Sequence, residues 1–222
     1  MNKKNITITV LAIWVAVSMS ALVFIAYKGH QFYNKIFRVS QEQVSFLLND
    51  IDPECEDIKK CRLLAGDILI RRHLTERTGK PARLANSYFT HSAFYIGDGL
   101  IVEAIGTEKN QEDEIRVTKI SETDWFDEDL NTFVVIRPQN YSGGFEDIKR
   151  SMIAITNDPD YRFGLPKAGH KRVTCADLIF NPLFEKGVIQ ISDPPEIITP
   201  DYLFWVLTEE RKNTKVIGHA NH

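Results

Sequence analysis

The sequence predicts an α+β domain, a small antiparallel sheet packed on helices, preceded by one N-terminal transmembrane helix. Three observations predict it. Ile6 to Tyr27 is an uninterrupted 22-residue run without Asp, Glu, Lys or Arg. Between Leu63 and Pro138, short β-branched and aromatic runs alternate with turn residues, the pattern of strands. After Pro138 the apolar residues recur every three or four positions, which is the helical period.

The run Ile6–Tyr27 is long enough to span a bilayer: at ~1.5 Å per residue it extends about 33 Å, against a hydrocarbon core of ~30 Å. Thr7, Thr9, Ser18 and Ser20 do not weaken this, because a hydroxyl can bond back to the preceding turn. A cleaved signal peptide is the competing reading, with Lys3-Lys4 as its basic start and Ser18-Met19-Ser20 as a small-residue site. The apolar run continues for seven residues past Ser20, which favours an anchor. Lys3 and Lys4 on one side face Lys28, Lys35 and Arg38 on the other, so charge placement hardly orients the span.

Residues 28–60 follow as a connector, a stalk helix or a helix lying on the domain, with Phe32, Ile36, Val39, Val44 and Phe46 to Leu48 at loose helical spacing. The main domain is expected over 61–212. Gly66-Asp67 opens a strand at Ile68-Leu69-Ile70. Ser92 to Ile96 and Leu100 to Val102 flank Gly97-Asp98-Gly99 and read as a β-hairpin. Arg116 to Ile120 alternates charged and apolar, and Thr132 to Ile136 is a β-branched and aromatic run. Phe145, Ile148, Met152 and Ile155 mark an amphipathic helix over about 144–156. A second helix starts at Thr174 or Cys175, capped by Thr174 with Asp177 three residues on, and Pro182 is expected to end or kink it early. A last helix over 200–211 has Thr199 as cap and Pro200 in first position. Residues 213–222 read as a polar tail.

With 27 basic and 30 acidic residues the net charge is -3, so the chain offers no broad electrostatic footprint for nucleic acid. Cys55 and Cys61 either close a short disulfide loop worth about 2 kcal/mol in an oxidising compartment or stay reduced on a surface helix. Either way Cys175 remains a free thiol. His73, His91, His170 and Cys175 lack the spacing of a common zinc site, and neither metal nor cofactor is expected. Asn140-Tyr141-Ser142 matches a glycosylation sequon by its letters alone.

Cys175 is the strongest candidate for chemistry. A cysteine in the first turn of a helix lies among unpaired backbone N–H groups and the positive end of the dipole, both of which favour a thiolate. Arg162, Lys171 and Arg172 lie near it in sequence and would add to this, whereas Asp177 would oppose it. The alternative is a small apolar residue packed beneath the sheet. His91 begins the first hairpin strand and Glu103 lies near the end of the second. A three-residue loop at Gly97-Asp98-Gly99 would put Glu103 on the face of His91 as its diagonal neighbour, able to orient the imidazole. A two-residue loop at Asp98-Gly99 would send the carboxylate to the opposite face. Thiolate, imidazole and carboxylate together form the logic of a Cys-His hydrolase, with the backbone N–H of the nucleophile as an oxyanion donor.

Four segments taken in order resemble one known family. They are LLAGDIL (63–69), HSAFYIGDGLIVEA (91–104), PDYRF (159–163) followed by TCADLIF (174–180), and ITPDYLF (198–204). Over about residues 60–205 the chain resembles the YiiX-like circularly permuted papain-like amidases, relatives of the NlpC-type cell-wall peptidases, with histidine first and cysteine last. The resemblance implies a permuted papain-like (NlpC-type) fold, with Cys175 as nucleophile, His91 as base and Glu103 as third member. It also implies an amide substrate, a cell-wall peptide or isopeptide. Two departures stand out: Ala176-Asp177-Leu178 occupies the place where the family usually reads Ser-Glu-Leu, and Pro182 follows closely. The expected protein is a single-pass membrane-anchored cysteine amidase or peptidase with an extracytoplasmic domain. Two alternatives stay open: a lipid-directed thiol acyltransferase or phospholipase using the same triad, and an inactive binding module. The expected partners are a peptide, amide or lipid-like substrate and the membrane.

Overall fold

The computed structural model describes residues 14–15, 17–29, 39–73, 87–106, 114–127, 130–139, 141, 144–165, 167–209 and 213–221. The chain divides into two units, Met1–Ile36 and Phe37–His222. In the first, residues 17–29 are helical and Leu22, Val23, Phe24 and Ile25 are exposed. Among the described residues no helix is long and apolar enough to cross a membrane. Residues 6–13 and 16 of the expected span lie outside the described set, as do Asn140 and Ser142 of the sequon.

The second unit is α+β. Its strands are β1 (Ile68–His73), β2 (His91–Gly97), β3 (Leu100–Ile105), β4 (Glu114–Lys119), β5 (Leu130–Pro138), the short β6 (Arg162–Phe163) and β7 (Arg172–Val173), and β8 (Thr214–Asn221). Its helices are α1 (Gln41–Asn49), α2 (Phe145–Asn157), α3 (Cys175–Glu185) and α4 (Pro200–Glu209). Six strands form one antiparallel sheet in the order β4-β3-β2-β1-β5-β8, and β6 pairs with β7 in parallel. Strand alternation sorts the side chains onto two faces. Ile68, Ile70, Phe94, Val102 and Val134 face the helices, packing with Leu178, Ile179 and Phe180 of α3. Leu69, Ala93, Ile101 and Val135 face the other way, into a smaller cluster around Trp125. The connector helix α1 belongs to the first core, with Val44, Leu47 and Leu48 buried.

The hairpin combines features of both expected loops. Gly97 pairs with Leu100, so the connection is the two-residue turn Asp98-Gly99, both at positive φ (54° and 74°). That turn matches strand twist and suits Asp-Gly. The register shifts between Tyr95 and Gly97, so that Tyr95 pairs with Ile101 and Ala93 with Glu103. The residue left over in this bulge, Ile96, restores the phase that a three-residue loop would have produced.

Two expectations are corrected. Pro182 does not end α3, which runs on to Glu185. Only the last turn follows the proline, Lys186 N–H still reaches the Pro182 carbonyl at 3.1 Å, and buried Leu178, Ile179, Phe180 and Leu183 hold the helix against the sheet. Residues 214–221, expected within a polar tail, form strand β8 on β5. Ile217 and Ala220 are buried there, and the ladder offered by β5 outweighs Lys215, Gly218, Ala220 and Asn221, residue types depleted in strands. Cys55 and Cys61 are joined by a disulfide, and their strap covers the outer edge of β8: the amides of Glu54 and Cys55 donate to the Ile217 carbonyl, and His219 N–H donates to Cys55 O. Gly218 has to be glycine, because a Cβ would lie 2.8 and 2.9 Å from the two sulfurs. Covering an edge strand in this way removes a template for misassembly.

Two buried carboxylates set the strands that carry the site. Asp67 receives both prongs of Arg137 (2.7 and 2.8 Å) and the Leu64 amide at 2.7 Å, which pins the start of β1. Asp201 in the first turn of α4 accepts the amides of Tyr88 and Phe89, each at 2.7 Å, and so fixes the chain just before His91. Asp201→Ala would leave two buried N–H groups without partners, at a cost of about 2–5 kcal/mol. Chemical denaturation should show at least that loss, and a change under 1 kcal/mol would contradict this role for Asp201.

Candidate active site

The nucleophile candidate is built by its helix cap. Thr174 accepts the Asp177 amide at 3.0 Å through Oγ1, and Asp177 Oδ2 accepts the Thr174 amide at 3.0 Å, a reciprocal capping box that places Cys175 as the first helical residue. Asp177 Oδ1 also accepts the Ile198 amide at 3.2 Å, tying the cap to the segment before α4. The acid expected to oppose a thiolate is therefore taken up by backbone and hydroxyl donors. Two of the three cations expected to help are also occupied: Lys171 pairs with Asp158 at 2.7 Å, and Arg162 donates to the carbonyls of Pro159 and Tyr161.

The charge beside Cys175 comes instead from His91. The two side chains are close enough for each to favour the charged form of the other, although His91 lies on the strand face turned away from α3. They meet because His91 is the first residue of β2 and Cys175 the first of α3. His91 Nε2 is 2.9 Å from Glu103 Oε2, which leaves Nδ1 for the sulfur. Glu103 is the diagonal neighbour across the hairpin, paired in register with Ala93. Cys175, His91 and Glu103, singled out from the sequence, are thus joined in one line, and all three are buried.

Four further residues complete the surroundings. Arg116, directly opposite Glu103 on β4, donates to Glu103 Oε1 through Nε (3.0 Å) and Nη2 (2.8 Å). Trp125 donates Nε1–H to Glu103 Oε2 at 3.2 Å, and its ring centroid lies 5.6 Å from that of His91. Arg71, the register partner of His91, stacks on Trp125 at 4.4 Å and binds Asp124 at 2.6 Å. Ser92 Oγ is buried with no partner at ordinary geometry, yet it lies near enough to the Cys175 sulfur to favour the thiolate. The β4 alternation hinted at Arg116, but nothing in the sequence gave its register against β3. Trp125 lies in a 3₁₀ turn without a periodic signal. A surface cavity of about 400 Å³ lined by Glu54, Lys60, Arg62 and Arg137 among others contains none of the three core residues. Among the described residues no cluster of three or more His, Cys, Asp or Glu is placed to hold a metal.

Electrostatics follow the geometry. Burial pushes the Cys175 thiol up, but the hydrogen bond and charge of His91, with Ser92, bring it below the ordinary value. Burial pushes His91 down, and Cys175 and Glu103 together raise it above the ordinary imidazole. Burial would raise Glu103 as well, but His91 and Arg116 hold it well below the usual carboxylate range. A lowered thiol and a raised imidazole both favour the charged forms, so the thiolate persists to lower pH than that of a free cysteine (~8.5). Alkylation of Cys175 by iodoacetamide should therefore be well advanced at pH 6–7, and Glu103→Gln should move its midpoint toward that of a free thiol. A wild-type rate profile with a single rise near pH 8.5 would show that no such ion pair forms.

No family model matches this chain, and no curated protein matches it.

Proposed function

We propose that the chain is a membrane-anchored cysteine hydrolase of permuted papain-like fold that cleaves an amide through an acyl-enzyme on Cys175. One observation carries this reading: the buried His91–Glu103 hydrogen bond sets the imidazole beside the sulfur of the first residue of a capped helix. The α+β layout, with the histidine strand preceding the cysteine helix in the chain, supports the permuted order seen in the YiiX-like resemblance.

The chemistry follows from these groups. The Cys175 thiolate attacks the amide carbonyl, and the oxyanion is held by the backbone N–H of Cys175, a donor that the first turn of a helix leaves unpaired. The imidazolium of His91 gives its proton to the departing amine as the C–N bond breaks. Neutral His91 then takes a proton from water, whose oxygen attacks the thioester and releases the acid. Glu103 keeps the ring oriented and its positive charge compensated through both steps. The apolar run Ile6–Tyr27 is the proposed anchor. The Cys55–Cys61 disulfide supports an extracytoplasmic domain, since such bonds persist in oxidising compartments.

Cell-envelope peptides incubated with the full chain should leave an acyl adduct on Cys175, detected by mass spectrometry and lost in Cys175→Ala. His91→Ala should lower turnover by at least about 10²–10⁴-fold, the usual contribution of a positioned general acid–base, while leaving binding largely intact. Adducts from lipid esters but not from peptides would move the reading to a lipid acyl donor. An adduct of equal yield on Cys175→Ala would remove the nucleophile assignment.

A further inference from the structure

The proposed triad assembles charges where charge is costly. Glu103 has a side chain only 1% exposed and is flanked by His91 on β2, Arg116 on β4 and Trp125. Counted alone, a thiolate, an imidazolium and a carboxylate leave one uncompensated negative charge in a buried site. Such a site takes up a proton, which would quench either the thiolate or the carboxylate. Arg116 removes the deficit, since its charge brings the four groups to neutrality. Its contact is two-pronged: Nε and Nη2 both reach Oε1, leaving Oε2 for His91 and Trp125. The carboxylate thus accepts four hydrogen bonds and has no freedom to rotate away from the imidazole.

We propose that Arg116 is a fourth, positioning member of the site, whose ion pair keeps Glu103 ionised and aimed at His91, so that the Cys175 thiolate survives into mildly acidic conditions. This rests on the proposed function only for the nucleophile, not for the substrate. Other charged groups nearby are already matched. Arg71 binds Asp124 and the Asp177 carboxylate caps α3, while Glu114, which shares Arg116 through Nη1 at 3.1 Å, is 52% exposed and has its charge screened by solvent. The 29% exposure of Arg116 lets it carry its charge without being fully desolvated.

The experiment is the pH dependence of Cys175 alkylation by iodoacetamide in the full chain, with Cys55 and Cys61 kept oxidised. Arg116→Gln should move the acid limb upward by about one pH unit or more, because loss of the cation favours protonation throughout the cluster. Arg116→Lys, which keeps the charge, should stay close to wild type, and so should Glu114→Gln. In a Glu103→Gln background the Arg116→Gln change should add almost nothing. That double variant loses both charges together, so it serves as the test if Arg116→Gln alone does not fold. An unmoved limb in Arg116→Gln, a limb in Arg116→Lys displaced as far as in Arg116→Gln, or separate limbs for Glu103→Gln and the double variant would each overturn the assignment. Rapid alkylation with an unmoved limb would sink the role of Arg116 alone. Wild-type alkylation no faster at pH 6 than that of a free thiol would sink the nucleophile as well.

Discussion

The site depends on one unpaired residue. Ile96 sits in the bulge between Tyr95 and Gly97, and it brings Glu103 into register with Ala93 and onto the face of His91. Without that bulge the two-residue turn would pair every position one step over, and each side chain of β3 would change faces. Glu103 would enter the helix-side core among Ile68, Phe94 and Val134, with no partner for its charge. Val102, buried in that core, would be turned out in exchange. The apolar pattern of β3 and the ionic line of the site therefore enforce the same register.

Once the register holds, the second constraint is the cost of burying ions. A lone buried carboxylate costs several kcal/mol, and mutual attraction repays this only where the geometry is good and the remaining lone pairs are satisfied. Glu103 meets both conditions, with His91 and Trp125 on one oxygen and Arg116 on the other. Trp125, fully buried, also keeps water from one side of the Glu103–His91 contact, and Arg71 lies across its ring. The opposing shifts of thiol and imidazole arise in the same way: desolvation works against both charged forms, and each prevails because the other is adjacent.

What the sequence made legible was local. Thr174 and Asp177 announce the helix that presents Cys175, and Gly97-Asp98-Gly99 announces the hairpin that brings Glu103 to His91, because caps and turns are written in neighbouring residues. The bulge escaped because no residue type marks it: Ile96 suits a regular strand as well as a bulged one. Arg116 and Trp125 escaped because their places depend on how β4 and the following turn lie against β3, across a segment without a turn signature. Strand β8 escaped for a related reason: its mixed composition becomes a strand only when β5 is there to pair with it and the Cys55–Cys61 strap covers it. Pro182 misled because a proline rule for isolated helices takes no account of the packing that holds α3 on both sides of it.

A thiol and an imidazole that belong to opposite faces of a sheet can meet only at its end. Cys175 reaches there because α3 starts at the level where β2 starts, and His91 because no earlier residue of its strand stands in the way. Ser92, one residue on, falls on the opposite strand face, and its presence also favours the Cys175 thiolate. The arrangement makes the site a joint product of two cores. The Trp125 cluster positions Glu103 and His91, while the Phe180 and Phe204 cluster positions Cys175. Asp201 couples them, since one carboxylate at the start of α4 fixes the backbone that leads into His91, while the Ile198 segment just before it is tied to the cap of Cys175. The ITPDYLF segment, far from both reactive atoms in the chain, thereby sets the distance between them.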